Sequence, residues 1–188
     1  MSIHAFTGGA GCGKTHQLMA RLDEHLLEHP LGEGQKVLAL TFMHGSRRRL
    51  DERLASAAIP NRAYECATID FFAWRIAHRW QSLLGALGID APAVGDYAGI
   101  CAAAAALLGQ EGVAGWVARC YPVIILDEAQ NLNQDRLAIL TTLAPHVCLF
   151  AAADEFQCYR PVQGARSAPR VFLITSWPRY SVRFQWRR

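Results

Sequence analysis

Nine residues near the N-terminus, Thr7-Gly8-Gly9-Ala10-Gly11-Cys12-Gly13-Lys14-Thr15, carry the pattern G-x-x-x-x-G-K-T. Glycines at that spacing let the backbone curl until successive N–H groups face one anion, and they leave its approach open. Gly8, Gly9, Ala10, Gly11, Cys12 and Gly13 therefore read as a phosphate cradle. Lys14 reaches the β- and γ-phosphates from it, and the Thr15 hydroxyl is a ligand for Mg²⁺. Farther along, Val123-Ile124-Ile125-Leu126-Asp127-Glu128-Ala129-Gln130 is an apolar run that ends in two carboxylates. In a nucleotide site Asp127 holds Mg²⁺ through water and Glu128 polarises the attacking water. The two stretches together predict a P-loop ATPase site, with ATP and Mg²⁺ as cofactors and Lys14 and Glu128 as catalytic groups.

Such a loop needs a strand before it and a helix after it. Ile3, Ala5 and Phe6 read as a short buried strand, and the run from Lys14 to about His29 places Leu18, Leu22 and Leu26 on one helical face. Val123 to Leu126 suits a parallel strand buried on both faces that delivers its acids at the carboxyl edge. Between these motifs lie a strand from Gln35 to Phe42, a helix from Ser46 to Ala58, a short strand from Glu65 to Thr68 and an aromatic helix from Ile69 to Leu84. Gly85 to Arg119 is rich in Ala and Gly and reads as a loose insertion, helical at Ala102 to Leu108. A helix from Asn133 to Leu143 and a strand from Val147 to Ala152 complete the series. The alternation predicts an α/β fold with a mostly parallel sheet flanked by helices. Residues 1–174 form one domain in this reading, with a short helical insertion at 85–119. Residues 175–188 form a basic, aromatic tail expected to be disordered.

Composition bounds the rest. The chain has 188 residues, 52% of them hydrophobic, enough to bury a core, and a net charge of +3 that leaves no nucleic-acid footprint of its own. None of the six cysteines forms a C-x-x-C pair, and no leader precedes the first strand. Reduced thiols and a cytoplasmic location are expected. No apolar run reaches the roughly 18 to 20 residues that span a bilayer, so no membrane partner is expected.

Further blocks carry a family resemblance. Val37-Leu38-Ala39-Leu40-Thr41-Phe42-Met43-His44, with Arg48, Glu52 and Arg53 beyond, resembles the second sequence block of superfamily 1 helicases of the UvrD/Rep/PcrA type. Ala67-Thr68-Ile69-Asp70-Phe71-Phe72-Ala73-Trp74-Arg75 resembles their next block, and Asp127-Glu128-Ala129-Gln130 their Walker B block. Ala153-Asp154-Glu155-Phe156-Gln157, followed by Gly164-Ala165, is similar to the block whose glutamine senses the γ-phosphate. The resemblance covers about Ile3 to Ala165 and implies a RecA-like motor domain that binds MgATP and single-stranded DNA. It places Phe42, His44, Thr68 and Phe72 at the DNA, where an aromatic ring stacks on a base for about 1 to 3 kcal/mol. It also makes Gln157 a third catalytic group, and Asp154 a support for the magnesium shell or its loop. Aromatics at such positions are also common core residues, and Arg47 to Arg49, which could touch phosphates, are also a usual solvated helix start.

The chain departs from the family at several points. Gly45 stands where the family has a lysine, Asp70 where it has a histidine, Ala153 where it has a glycine and Arg160 where it has a tyrosine. The upstream glutamine that grips adenine has no counterpart, and no match to the next block follows Ile174. The expectation is the first motor domain alone, which does not unwind DNA by itself, whether as a natural truncation, a frameshifted remnant, or a subunit completed by a second chain that supplies the other RecA-like domain and its arginine. A deoxynucleoside kinase of the thymidine kinase type is the alternative, with Glu128 taking a proton from the nucleoside 5′-hydroxyl. Such kinases carry paired zinc-binding cysteines, which this chain lacks.

Overall fold

The structure is a computed structural model that describes residues 2–9, 11–42, 44–57, 59–154 and 182–185, without the side chains of His44, Asn61 and 182–185. Its order is β1 (Ile3–Gly8), α1 (Lys14–Glu28), β2 (Val37–Thr41), α2 (His44–Ala55), β3 (Tyr64–Thr68), α3 (Ile69–Arg79), α4 (Gln81–Ala86), α5 (Tyr97–Leu108), α6 (Glu111–Cys120), β4 (Val123–Leu126), α7 (Gln134–Leu143), β5 (Cys148–Asp154) and β6 (Val182–Gln185).

Six strands among the described residues form one sheet in the order β3-β2-β4-β5-β1-β6, and every pairing is parallel. The central strands β2 and β4 are apolar almost throughout because the sheet is covered on both faces. Val37 and Ala39 of β2 face a core with Leu18, Leu22 and Leu26 of α1 and Leu50 and Leu54 of α2. Leu38 and Leu40 face the opposite core with Phe72 and Ile76 of α3, Leu107 of α5 and Ile139 and Leu143 of α7. Each fully buried Leu or Ile contributes roughly 1.5–3 kcal/mol. The expected α/β architecture is the one observed.

Three expectations need correction. Residues 85–119 are not a loose insertion: α5 and α6 occupy most of them, and α5 buries Ile100, Cys101, Ala103, Ala104, Leu107 and Leu108. Alanine gives α5 a slim profile, and it packs between α3 and α7. The aromatic helix breaks at Trp80, whose ring meets Trp116 edge-on at 6.3 Å. Within the tail, residues 182–185 pair with β1 in register, Ile3 opposite Val182 and Phe6 opposite Gln185. No single described helix is long and apolar enough to cross a membrane.

Candidate functional site

The parallel sheet brings the motif residues to one edge. Gly8 ends β1 opposite Asp154, which ends β5, and Thr41 ends β2 opposite Thr68, which ends β3. Asp127 follows β4 and donates its N–H to Leu40 O at 3.2 Å. Because β5 lies between β1 and β4, Asp154 sits between the glycine loop and the two carboxylates.

Backbone geometry explains the glycines. Gly13 caps α1 with φ 83°, a left-handed conformation that a side chain resists. At Gly8 φ is 154°, which a side chain rarely adopts, and a Cβ would stand 2.7 Å from Cys12 Sγ. No side chain caps α1, and its first turn holds no acid. Its leading N–H groups therefore keep their capacity for an anion. Lys14 Nζ donates to Gly8 O at 2.8 Å and Gly9 O at 2.7 Å and lies 3.4 Å from Asp154 Oδ2. The ammonium is thus held in the mouth of the loop, with Asp154 supplying the negative charge that a phosphate would otherwise bring.

The second motif is held as tightly. Glu128 has φ 61° and ψ 44°, a left-handed conformation in a non-glycine residue, of the kind that costs about 1–3 kcal/mol and clusters at functional sites. Its Oε2 accepts from Asn131 Nδ2 at 3.4 Å. Gln130 Oε1 accepts the Asp154 N–H at 2.9 Å, tying this turn to the end of β5. Burial and the adjacent Glu128 carboxylate push the Asp127 pKa above its ordinary value, while Arg53 and Lys14 pull it down.

A protein-family model described as an AAA domain matches residues 1–160. The chain belongs to this family. The domain is found in UvrD/Rep-like helicases, so the chain is a nucleotide-binding P-loop domain of helicase type. No curated protein matches the chain.

The donor set of this AAA domain fits a magnesium ion. Thr15 and Asp127 offer hard oxygen donors of the kind Mg²⁺ takes. Mg²⁺ is normally held by one or two protein oxygens with phosphate and water completing the octahedron. A cleft of about 830 Å³ opens from Gly11, Gly13, Lys14 and Thr15 between α1 and α2. Arg49, read in the sequence as a candidate phosphate contact, lines it together with Arg53.

The residues expected at DNA separate. Phe42 and Thr68 share a groove of about 540 Å³ with Asp70, Phe71, Trp74, His78 and Tyr97. The Thr68 hydroxyl is engaged as the α3 cap, accepting from Phe71 N–H at 3.2 Å. Phe72 is 1% exposed and belongs to the core, so its place in the channel reading is corrected. Its neighbours Phe71 and Trp74 are exposed instead, at 48% and 45%. His44 is the first residue of α2, and its side chain, with Ala10 and Gln157, lies outside the described residues. Sequence reasoning missed Arg136, which pairs with Asp70 and covers Phe42, because no local pattern links residues so far apart in the chain.

Proposed function

We propose that this chain is the ATP-binding motor domain of a UvrD-like superfamily 1 helicase or translocase, which hydrolyses MgATP and binds single-stranded DNA. The convergence of Lys14, Asp127, Glu128 and Asp154 on one sheet edge, beside an aromatic groove, carries this reading. The α1 N-terminus and the loop N–H groups bind the phosphates, and Lys14 exchanges Asp154 for a phosphate oxygen. When bound, Mg²⁺ would neutralise the phosphate charge, and Thr15 and Asp127 would hold it. Glu128 orients the attacking water and accepts its proton. Gln157 is assigned the sensing of the γ-phosphate by the family resemblance. DNA lies along the groove at Phe42. An arginine from a second RecA-like domain speeds hydrolysis by about 10³ to 10⁵ in related phosphoryl transfer. A cytoplasmic location belongs to the same proposal and agrees with the free cysteines Cys12, Cys66, Cys101, Cys120 and Cys148.

The test is ATP turnover by the purified chain with and without single-stranded DNA, with thymidine as a parallel acceptor. Slow turnover that DNA stimulates is expected. Glu128→Gln is expected to keep nucleotide binding and lose turnover. Phosphorylated thymidine, or full turnover in Glu128→Gln, would contradict the assignment.

A further inference from the structure

One face of the Phe42 ring carries a guanidinium. Arg136 Cζ stands 4.7 Å from the ring centroid, within cation–π range. The same guanidinium donates from Nε to Asp70 Oδ1 at 2.7 Å and from Nη2 to Asp70 Oδ2 at 2.9 Å. This two-pronged pairing fixes the guanidinium plane as well as its position. Asp70 is held in turn, in the first turn of α3 behind the Thr68 cap, and accepts from Cys101 Sγ at 3.6 Å. Arg136 lies in the first turn of α7, where its N–H donates to Asn133 Oδ1 at 3.0 Å. Three elements therefore converge behind one ring.

The groove holds the other half of the argument. Phe42 and Asp70 line it and Arg136 does not, so the guanidinium backs the ring from outside the groove. Phe71, Trp74 and His78 line the same groove as a stacked series, with centroid spacings of 5.8 Å and 5.1 Å. Flat walls in a partly wet groove suit a flat ligand. A ring already fixed in its bound orientation loses little freedom when a base arrives.

We propose that Arg136, held by Asp70, is a positioning residue that backs the Phe42 ring and leaves its groove side as the stacking platform for one nucleobase of a single-stranded nucleic acid. This rests on the nucleic-acid reading above and adds to it the residues that set the platform. Arg136 itself touches neither base nor phosphate.

Anisotropy of a fluorescein-labelled oligothymidylate, titrated at several salt concentrations, tests it. The variants are Phe42→Ala, Arg136→Ala and the double substitution. Each single change is expected to weaken binding roughly fivefold or more, and the double to be no weaker than Phe42→Ala alone. The salt slope of Arg136→Ala is expected to match that of the unmodified chain, because no phosphate contact is lost. If Arg136→Ala does not fold, Arg136→Lys keeps the charge without the fork, and weaker binding at an unchanged slope is expected. Multiplicative losses in the double variant, or a salt slope lower by about 1, would overturn the positioning role and leave the nucleic-acid reading intact. Absence of binding by the unmodified chain would overturn both.

Discussion

Asp127 is pulled two ways: burial and the Glu128 charge disfavour its ionised form, whereas the magnesium-ligand role proposed for it requires that form. A carboxyl whose folded pKa is raised stabilises the fold fully below its unfolded pKa and loses that contribution as pH rises through the folded value. At neutral pH the ionised group is therefore a net cost to the ligand-free chain. Asp127→Asn is expected to melt at a higher temperature than the unmodified chain at pH 7.5, with the gain shrinking toward pH 4. A lower melting temperature at pH 7.5 would contradict it. The thiols divide by environment. Burial first, then the Asp51 charge at Cys66 and the Asp70 charge at Cys101, push both pKa values up to about 12. Both stay protonated and unreactive at pH 8, whereas Cys12 is exposed on the phosphate loop. Mass spectrometry after iodoacetamide treatment at pH 8 is expected to find label on Cys12 and not on Cys66 or Cys101, with saturating nucleotide protecting Cys12. Lys14, Asp127 and Glu128 were legible in the sequence because their chemistry demands a short, fixed spacing. The Asp70–Arg136 pair was not, since it joins positions 66 residues apart.

At the scale of elements, helical phase decided what the family resemblance misplaced. Ile69, Phe72, Ala73, Ile76 and Ala77 form the buried stripe of α3, and the 3.6-residue period turns Phe71 and Trp74 outward. The residues themselves carried that stripe, so Phe72 was readable as core without a structure. The packing of α5 was harder to read. A run of alanines has no distinct face, and its burial follows from the space that α3 and α7 leave between them. The start of α7 is fixed by Asn133, whose Oδ1 accepts the Arg136 N–H at 3.0 Å. Asn133→Ala is expected to destabilise the fold by about 1 kcal/mol, read by urea unfolding. It should also weaken oligonucleotide binding, because the same turn places Arg136 behind Phe42. A variant as stable as the unmodified chain would remove the cap from the account.

Across the whole molecule, strand order gives the motifs their meaning. The sequence alternates strand and helix, and that alone predicted the class of fold, but it does not say that β5 inserts between β1 and β4. The insertion sets Asp154 against Lys14 and, through Gln130, against the turn that bears Glu128. The loop, the carboxylates and the aromatic groove thus share one sheet edge, and a nucleotide bound there would stabilise the entire domain by linkage. Thermal unfolding with and without MgATP, on the unmodified chain and on Lys14→Ala, tests this most directly. At a nucleotide concentration of about one hundred times Kd the stabilisation is about 2.7 kcal/mol, or roughly 5–10 °C for a domain of this size. The account predicts that rise in the unmodified chain and none in Lys14→Ala; an equal rise in both, or none in either, would contradict the assignment of Gly8 to Thr15 as the nucleotide site.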